Sequence, residues 1–109
     1  MNIDDYSFHD AHILEVTEIS SEQTFNFLLD FPVDWENNVF EKRVLRFVNV
    51  INYFIEEIPF AGNPAILQII NLGEIVDVFG STKNKIEIQT NAGKRTLEFS
   101  NCELINPNE

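Results

Sequence analysis

Phe8-His9-Asp10-Ala11-His12 is the stretch in which both histidines of the chain meet a carboxylate. Imidazole beside carboxylate is the pairing from which general bases and zinc sites are made. On an extended strand Asp10 and His12 share one face and His9 points to the other. The two histidines then do not converge on one metal, and Cys102 is the only thiol available to complete a ligand set, so no metal site is expected. A pocket reading remains, in which His9, Asp10 and His12 line a ligand or catalytic site and Asp10 orients His12 as a general base. It needs a nucleophile or a bound water within hydrogen-bond reach, and no Gly-rich elbow accompanies these residues. The plainer account has Asp10 accepting backbone N–H bonds where the chain enters a sheet, and His12 half-buried on a strand beside Leu29.

A second group lies in Pro32-Val33-Asp34-Trp35-Glu36-Asn37-Asn38, which sets the only Trp between two carboxylates. Trp is enriched among interface hot spots, and flanking acids steer a basic partner onto it. This partner-binding reading takes Asp34, Trp35 and Glu36, with Asp30 and Glu22 from the same acidic half. Its counterpart has Trp35 folding back to close one end of a small core. A third feature is a hairpin register that sets Glu87 opposite Glu98, with Lys85, Lys94 or Arg95 close enough to relieve the repulsion. The chain has no Gly-x-Gly-x-x-Gly, phosphate loop or Cys pair, so no cofactor is implied.

Charge narrows the partner. The first 41 residues hold ten Asp and Glu and no Lys or Arg, and all seven bases lie between Lys42 and Arg95, for a formal charge of -11. Such a surface attracts cations and repels nucleic acid and anionic lipid, so the expected partner is a basic protein. The acidic N-terminus is unlike a secretory signal, and one Cys suits a reducing compartment; a cytoplasmic location is the expectation. No apolar run approaches the ~20 residues that span a bilayer.

These side chains must be positioned by strands. The 109 residues fit one acidic β domain over 1–109, expected as an antiparallel sandwich or partly open barrel of about seven to eight strands. Phe25, Phe27, Leu29 and Phe31 alternate with polar residues over 23–31, the cleanest strand pattern in the chain. Its hairpin partner spans 10–19, with Ser20-Ser21 at the turn, Val16 opposite Phe25 and Leu14 opposite Phe27, and Ile13 beside Leu28 on the opposite face. Near the C-terminus, a tight turn on Ala92-Gly93 joins strands 85–90 and 95–104 and aligns Ile88 with Leu97 and Ile86 with Phe99. Over 43–58, apolar residues recur at helical spacing while the composition is β-branched and aromatic. The β neighbours decide for two strands bent near Asn49, with a helix as the alternative. Strands at 65–71 and 74–79 flank Leu72-Gly73.

The aromatic-His-Asp-Ala motif at the head of the first strand, followed by Leu14 and Val16, resembles one in small uncharacterised bacterial proteins, some of them grouped with immunity proteins of polymorphic toxin systems. Leu45-Arg46-Phe47-Val48-Asn49-Val50 looks like a later strand of such proteins. The resemblance implies an immunity-type inhibitor and supplies no active site. Together with the charge, it points to a non-catalytic binding module whose acidic N-terminal region docks onto a basic partner. The alternatives are a ligand-binding protein or enzyme using the Asp10/His12 pocket, and a structural subunit that completes a larger sheet.

Overall fold

The computed structural model describes residues 2–107. Eight strands follow in order: β1 (His12–Ile19), β2 (Thr24–Asp34), β3 (Val39–Val48), β4 (Ile51–Glu57), β5 (Ile66–Val76), β6 (Thr82–Thr90), β7 (Gly93–Phe99) and β8 (Asn101–Ile105). They form two antiparallel sheets, β1-β2-β3-β8 and β4-β7-β6-β5. The alternation of β2 builds the interior, because every second side chain of a strand points the same way. Phe25, Phe27, Leu29 and Phe31 all join the core, with Phe27 and Leu29 fully buried. Leu45 and Phe47 of β3 meet them, and Ile86, Ile88, Leu97 and Phe99 cover them from the second sheet. Full burial of such a side chain contributes roughly 1.5–3 kcal/mol, enough in sum to hold a strongly charged chain together.

The two sheets cross. At the start of β2, Phe25 and Phe27 contact Tyr53 of β4; near its end, Phe31 contacts Phe8. The segment after Phe8 bonds to the start of β5: Asp10 N–H donates to Ile66 O (2.8 Å), and Ile66 N–H to Ala11 O (2.7 Å). Since β4 and β5 are opposite edges of the second sheet, β2 runs across that sheet. The chain turns from sheet to sheet at Asn49, left-handed with φ 56°, and at Ser100, whose N–H donates to Val48 O (3.0 Å).

Residues 43–58 are strand, bend and strand, so the helical alternative fails: β3 and β4 each bury a share of one core, which a single helix face would not serve. Both hairpin registers differ from the expected ones by two residues next to their turns, and the first by one beyond its bulge. The first turn runs through a 3-10 turn at Ser20–Glu22 to a left-handed Gln23, so Val16 pairs with Phe27, Glu18 with Phe25 and Ile13 with Leu29, and a bulge falls at Leu14. The last hairpin turns on Asn91-Ala92, where the Thr90 hydroxyl oxygen accepts the N–H groups of Ala92 (3.1 Å) and Gly93 (3.2 Å). Ile88 therefore faces Arg95 and Ile86 faces Leu97. A shift of two preserves which side of the sheet each residue occupies, but past the bulge the shift is one and the sides exchange: Ile13 lies in the core beside Leu29, where Leu14 was expected to point inward. Glu98 now lies opposite Lys85, and Glu87 opposite Thr96 with Lys94 at 3.6 Å; the facing carboxylates are not formed. Residues 66–76 are one strand, bulged at Leu72, and 95–104 are two strands broken at Ser100.

Candidate functional site

Asp10 takes a left-handed backbone (φ 66°) in a turn closed by Ala11 N–H on Phe8 O (3.0 Å), so the strand begins only at His12. This separates the pocket residues. His12 lies opposite Asp30, not Leu29, and its ring contacts Phe40. Asp10 instead has its carboxylate 3.7 Å from His9 Nε2, and no ion pair joins it to His12. His9 Nδ1 lies 2.9 Å from Leu67 O. A carbonyl only accepts, so Nδ1 carries the proton of this bond. The carboxylate-oriented base expected at Asp10 and His12 is therefore not assembled. Among the described residues no three His, Cys, Asp or Glu side chains converge as a metal site.

What the turn at Asp10 does is turn His9 toward Trp35. The imidazole and the indole stack with centroids 5.7 Å apart and planes 15° from parallel, so the two groups singled out separately in the sequence meet in one place. Trp35 does not fold into the core; it is 51% exposed at the turn between β2 and β3. That turn is set by its acid: the Asp34 carboxylate accepts the Asn37 side-chain amide (2.7 Å) and backbone N–H (3.2 Å), and Asn38 supplies a left-handed residue. The Asn37 amide and then its backbone N–H hold the Asp34 carboxyl below its ordinary value. Val33, Val39, Tyr6 and Leu67 add exposed apolar surface nearby, and Asp4 borders the same groove as His9 and Leu67.

Of the expected partner-binding residues, Asp34, Trp35 and Glu36 stay together. Asp30 lies further back along β2, between His12 and Lys42. Glu22 sits in the turn before the opposite end of β2. The outer side of the first sheet is of mixed sign, since Arg46 lies 3.5 Å from Glu103, and Arg43 pairs with Glu41 at 2.8 Å. Asp4, Asp5, Asp10, Asp34 and Glu36 make no ion pair with Lys or Arg among the described residues. Of the ten acids before Lys42 only Glu41 pairs with a Lys or Arg among the described residues, and Asp10, Asp34 and Glu36 are those that flank the His9–Trp35 stack in the chain.

A second polar cluster had no place in the sequence reading. Arg95, on the core side of β7, donates from Nε and Nη2 to the two oxygens of Glu57 (2.9 Å each) and from Nη1 to Tyr53 OH (3.2 Å). Burial opposes the Arg95 charge, but Glu57 and Tyr53 together hold its pKa above the usual value. Burial likewise raises that of Tyr53, with Arg95 working against it. The cluster is a fixed structural ion pair at one end of the core, and it was legible in one respect: Arg95 alternates with Leu97 and Phe99, and a base at an inward position requires a buried acid. Cys102 is buried, which pushes its thiol pKa up and away from reactivity.

Fold and site together define a small antiparallel β-sandwich that displays a half-exposed aromatic stack flanked by carboxylates with no Lys or Arg partner among the described residues. Set against protein-family models, curated proteins and solved structures, the chain finds no match in any of the three.

Proposed function

We propose that the protein is a non-catalytic binding module whose acidic, aromatic patch docks onto a basic protein. The observation that carries this reading is the Trp35–His9 stack, with Trp35 half exposed and Asp10, Asp34 and Glu36 close by in the chain without a Lys or Arg partner among the described residues. Carboxylates so placed attract a cationic surface over a Debye length of about 8 Å at physiological salt. The rigid indole then gives the arriving surface something to bury. An immunity-type inhibitor, as the resemblance suggests, is the particular form of this function, since enzymes that cut nucleic acid present cationic clefts. A cytoplasmic setting fits the single buried thiol. No helix among the described residues is long and apolar enough to cross a membrane.

The test uses the chain's own reporter. Trp35 is the only Trp, so its fluorescence changes directly when a partner covers the stack. The expected result is capture of a basic protein from native lysate at low salt, release at high salt, and a shifted Trp35 emission on titration with that protein. Trp35→Ala weakens binding by about 2 kcal/mol, roughly thirtyfold in Kd. Recovery of only acidic partners, or full affinity in Trp35→Ala, defeats the proposal.

A further inference from the structure

The second sheet has two edges, and only one is protected. β5 is bulged twice, bonded to residues 10 and 11 at Ile66, capped by the His9 ring at Leu67 O, and tied to Asp4 through Asn71 (3.0 Å). β4 at the other edge has nothing comparable. Among the described residues no backbone hydrogen bond reaches its outward side along 53–57. Each face of the strand carries an open apolar side chain there, Phe54 (59% exposed) on the side of Thr96 and Ile55 (54%) on the side of Arg95, and Ile58 and Phe60 just beyond the strand are exposed as well. At the other end, Ile51 borders Val78 and Phe79, the tip of the β5–β6 loop, which are 93% and 90% exposed. That tip is held in place, because Asp77 Oδ1 accepts the N–H groups of Phe79 (2.8 Å) and Ser81 (2.9 Å). Open edges are ordinarily guarded by inward charges, Lys, Pro or bulges. Here the bulge is confined to Asn52-Tyr53, Glu57 is engaged by Arg95, and Glu56 lies 4.0 Å from Lys94.

We infer that this edge pairs with the same edge of a second copy, β4 antiparallel to β4 across a twofold axis. Charge selects the occupant. Residues 1–50 carry ten acids and three bases, whereas 51–99 carry six acids and four bases, and Glu56, Glu57, Asp77 and Glu87 of those six are in ion pairs. A strongly basic partner is drawn to the first half and finds little to hold it at β4. Two chains of charge -11, by contrast, meet less repulsion through the second sheet, where residues 51–99 carry six acids against four bases, than through residues 1–50 with ten against three. An isologous strand pair also gives each exposed N–H and C=O of one copy its counterpart in the other. The His9–Trp35 patch lies by β5, at the opposite edge, so pairing through β4 leaves both patches open and makes the assembly bivalent. This inference stands apart from the proposed partner, and either survives failure of the other.

The experiment is sedimentation of the full chain at sub-millimolar concentration, in low and high salt. The expected result is a dimer that persists or tightens as salt rises, because screening removes repulsion between copies. Phe54→Lys/Ile55→Lys abolishes the dimer while the far-ultraviolet dichroism is unchanged, since both side chains are more than half exposed. A wild-type chain that stays monomeric overturns the inference, also where that monomer accepts an extended peptide along β4. So does a dimer that survives Phe54→Lys/Ile55→Lys, and so does one lost in Phe79→Asp alone, which assigns the contact to the loop tip.

Discussion

Arg95 occupies a position that the alternation of β7 reserves for the core, and its side chain is only 10% exposed against Glu57 at 11%. Solvent screens such a pair weakly, and breaking it from one side strands the other charge. Glu57→Gln is therefore expected to cost about 3 kcal/mol, read as a fall in the urea midpoint with an unchanged slope. Replacing both groups by apolar ones of similar size, Glu57→Leu with Arg95→Met, restores most of that loss, because the desolvation of two ions disappears together with their attraction. A neutral Glu57→Gln shows instead that water reaches the site and the pair does little. Trp35 is the opposite case: half outside, it contributes to recognition, and Trp35→Ala leaves stability within roughly 1 kcal/mol. The difference between these two residues was only half legible. Inward and outward positions follow from period two, but which acid meets Arg95 depends on β4 lying next to β7, a contact 38 residues away along the chain.

Registers at the level of strands teach the same distinction. Phe25, Phe27, Leu29 and Phe31 read as one buried face from their spacing alone, and they are. Their partners did not, because register is decided by the connection: the first hairpin passes through a 3-10 turn at Ser20–Glu22, and the last places its two-residue loop on Asn91-Ala92, held by the Thr90 hydroxyl, one position earlier than Ala92-Gly93. The His9–Trp35 stack was illegible for a related reason, since it depends on a left-handed Asp10 halting the strand. Gly93 shows what the sequence concealed. It reads as a turn glycine, yet it sits in β7 opposite Glu57, and a Cβ there would lie 2.1 Å from the Glu56 carbonyl oxygen. Its φ of 149° adds backbone strain for any other residue. Gly93→Ala is expected to push β4 away and destabilise the protein by roughly 2 kcal/mol or more. Gly80→Ala, where a Cβ meets open space and only φ 81° is unfavourable, costs about 1 kcal/mol. Thermal or urea unfolding of the pair separates the two effects, and equal losses would remove the close approach of β4 as the reason for Gly93.

For the molecule as a whole, the arrangement of charge decides how it responds to salt. Its ion pairs, Arg43–Glu41, Arg46–Glu103 and Lys94–Glu87 among them, lie mostly at the surface, where each contributes about 0–1 kcal/mol and is itself weakened by salt. Against them stands a net charge of -11, most of it in the first half of the chain, and mutual repulsion of that kind opposes the compact state. Repulsion acts over longer distances than the pairs do, so it is screened first. Raising ionic strength from about 0.01 M to 0.15 M shortens the Debye length from about 30 Å to about 8 Å, and the melting temperature is expected to climb over that range and then level off. The same titration weakens capture of a basic partner at the His9–Trp35 patch. Opposite signs for folding and for partner binding, measured in one buffer series, are the signature of a one-sided charge distribution. A melting temperature that falls with added salt would mean that the local pairs outweigh the repulsion, and that the carboxylates around Trp35 project too little field to steer anything.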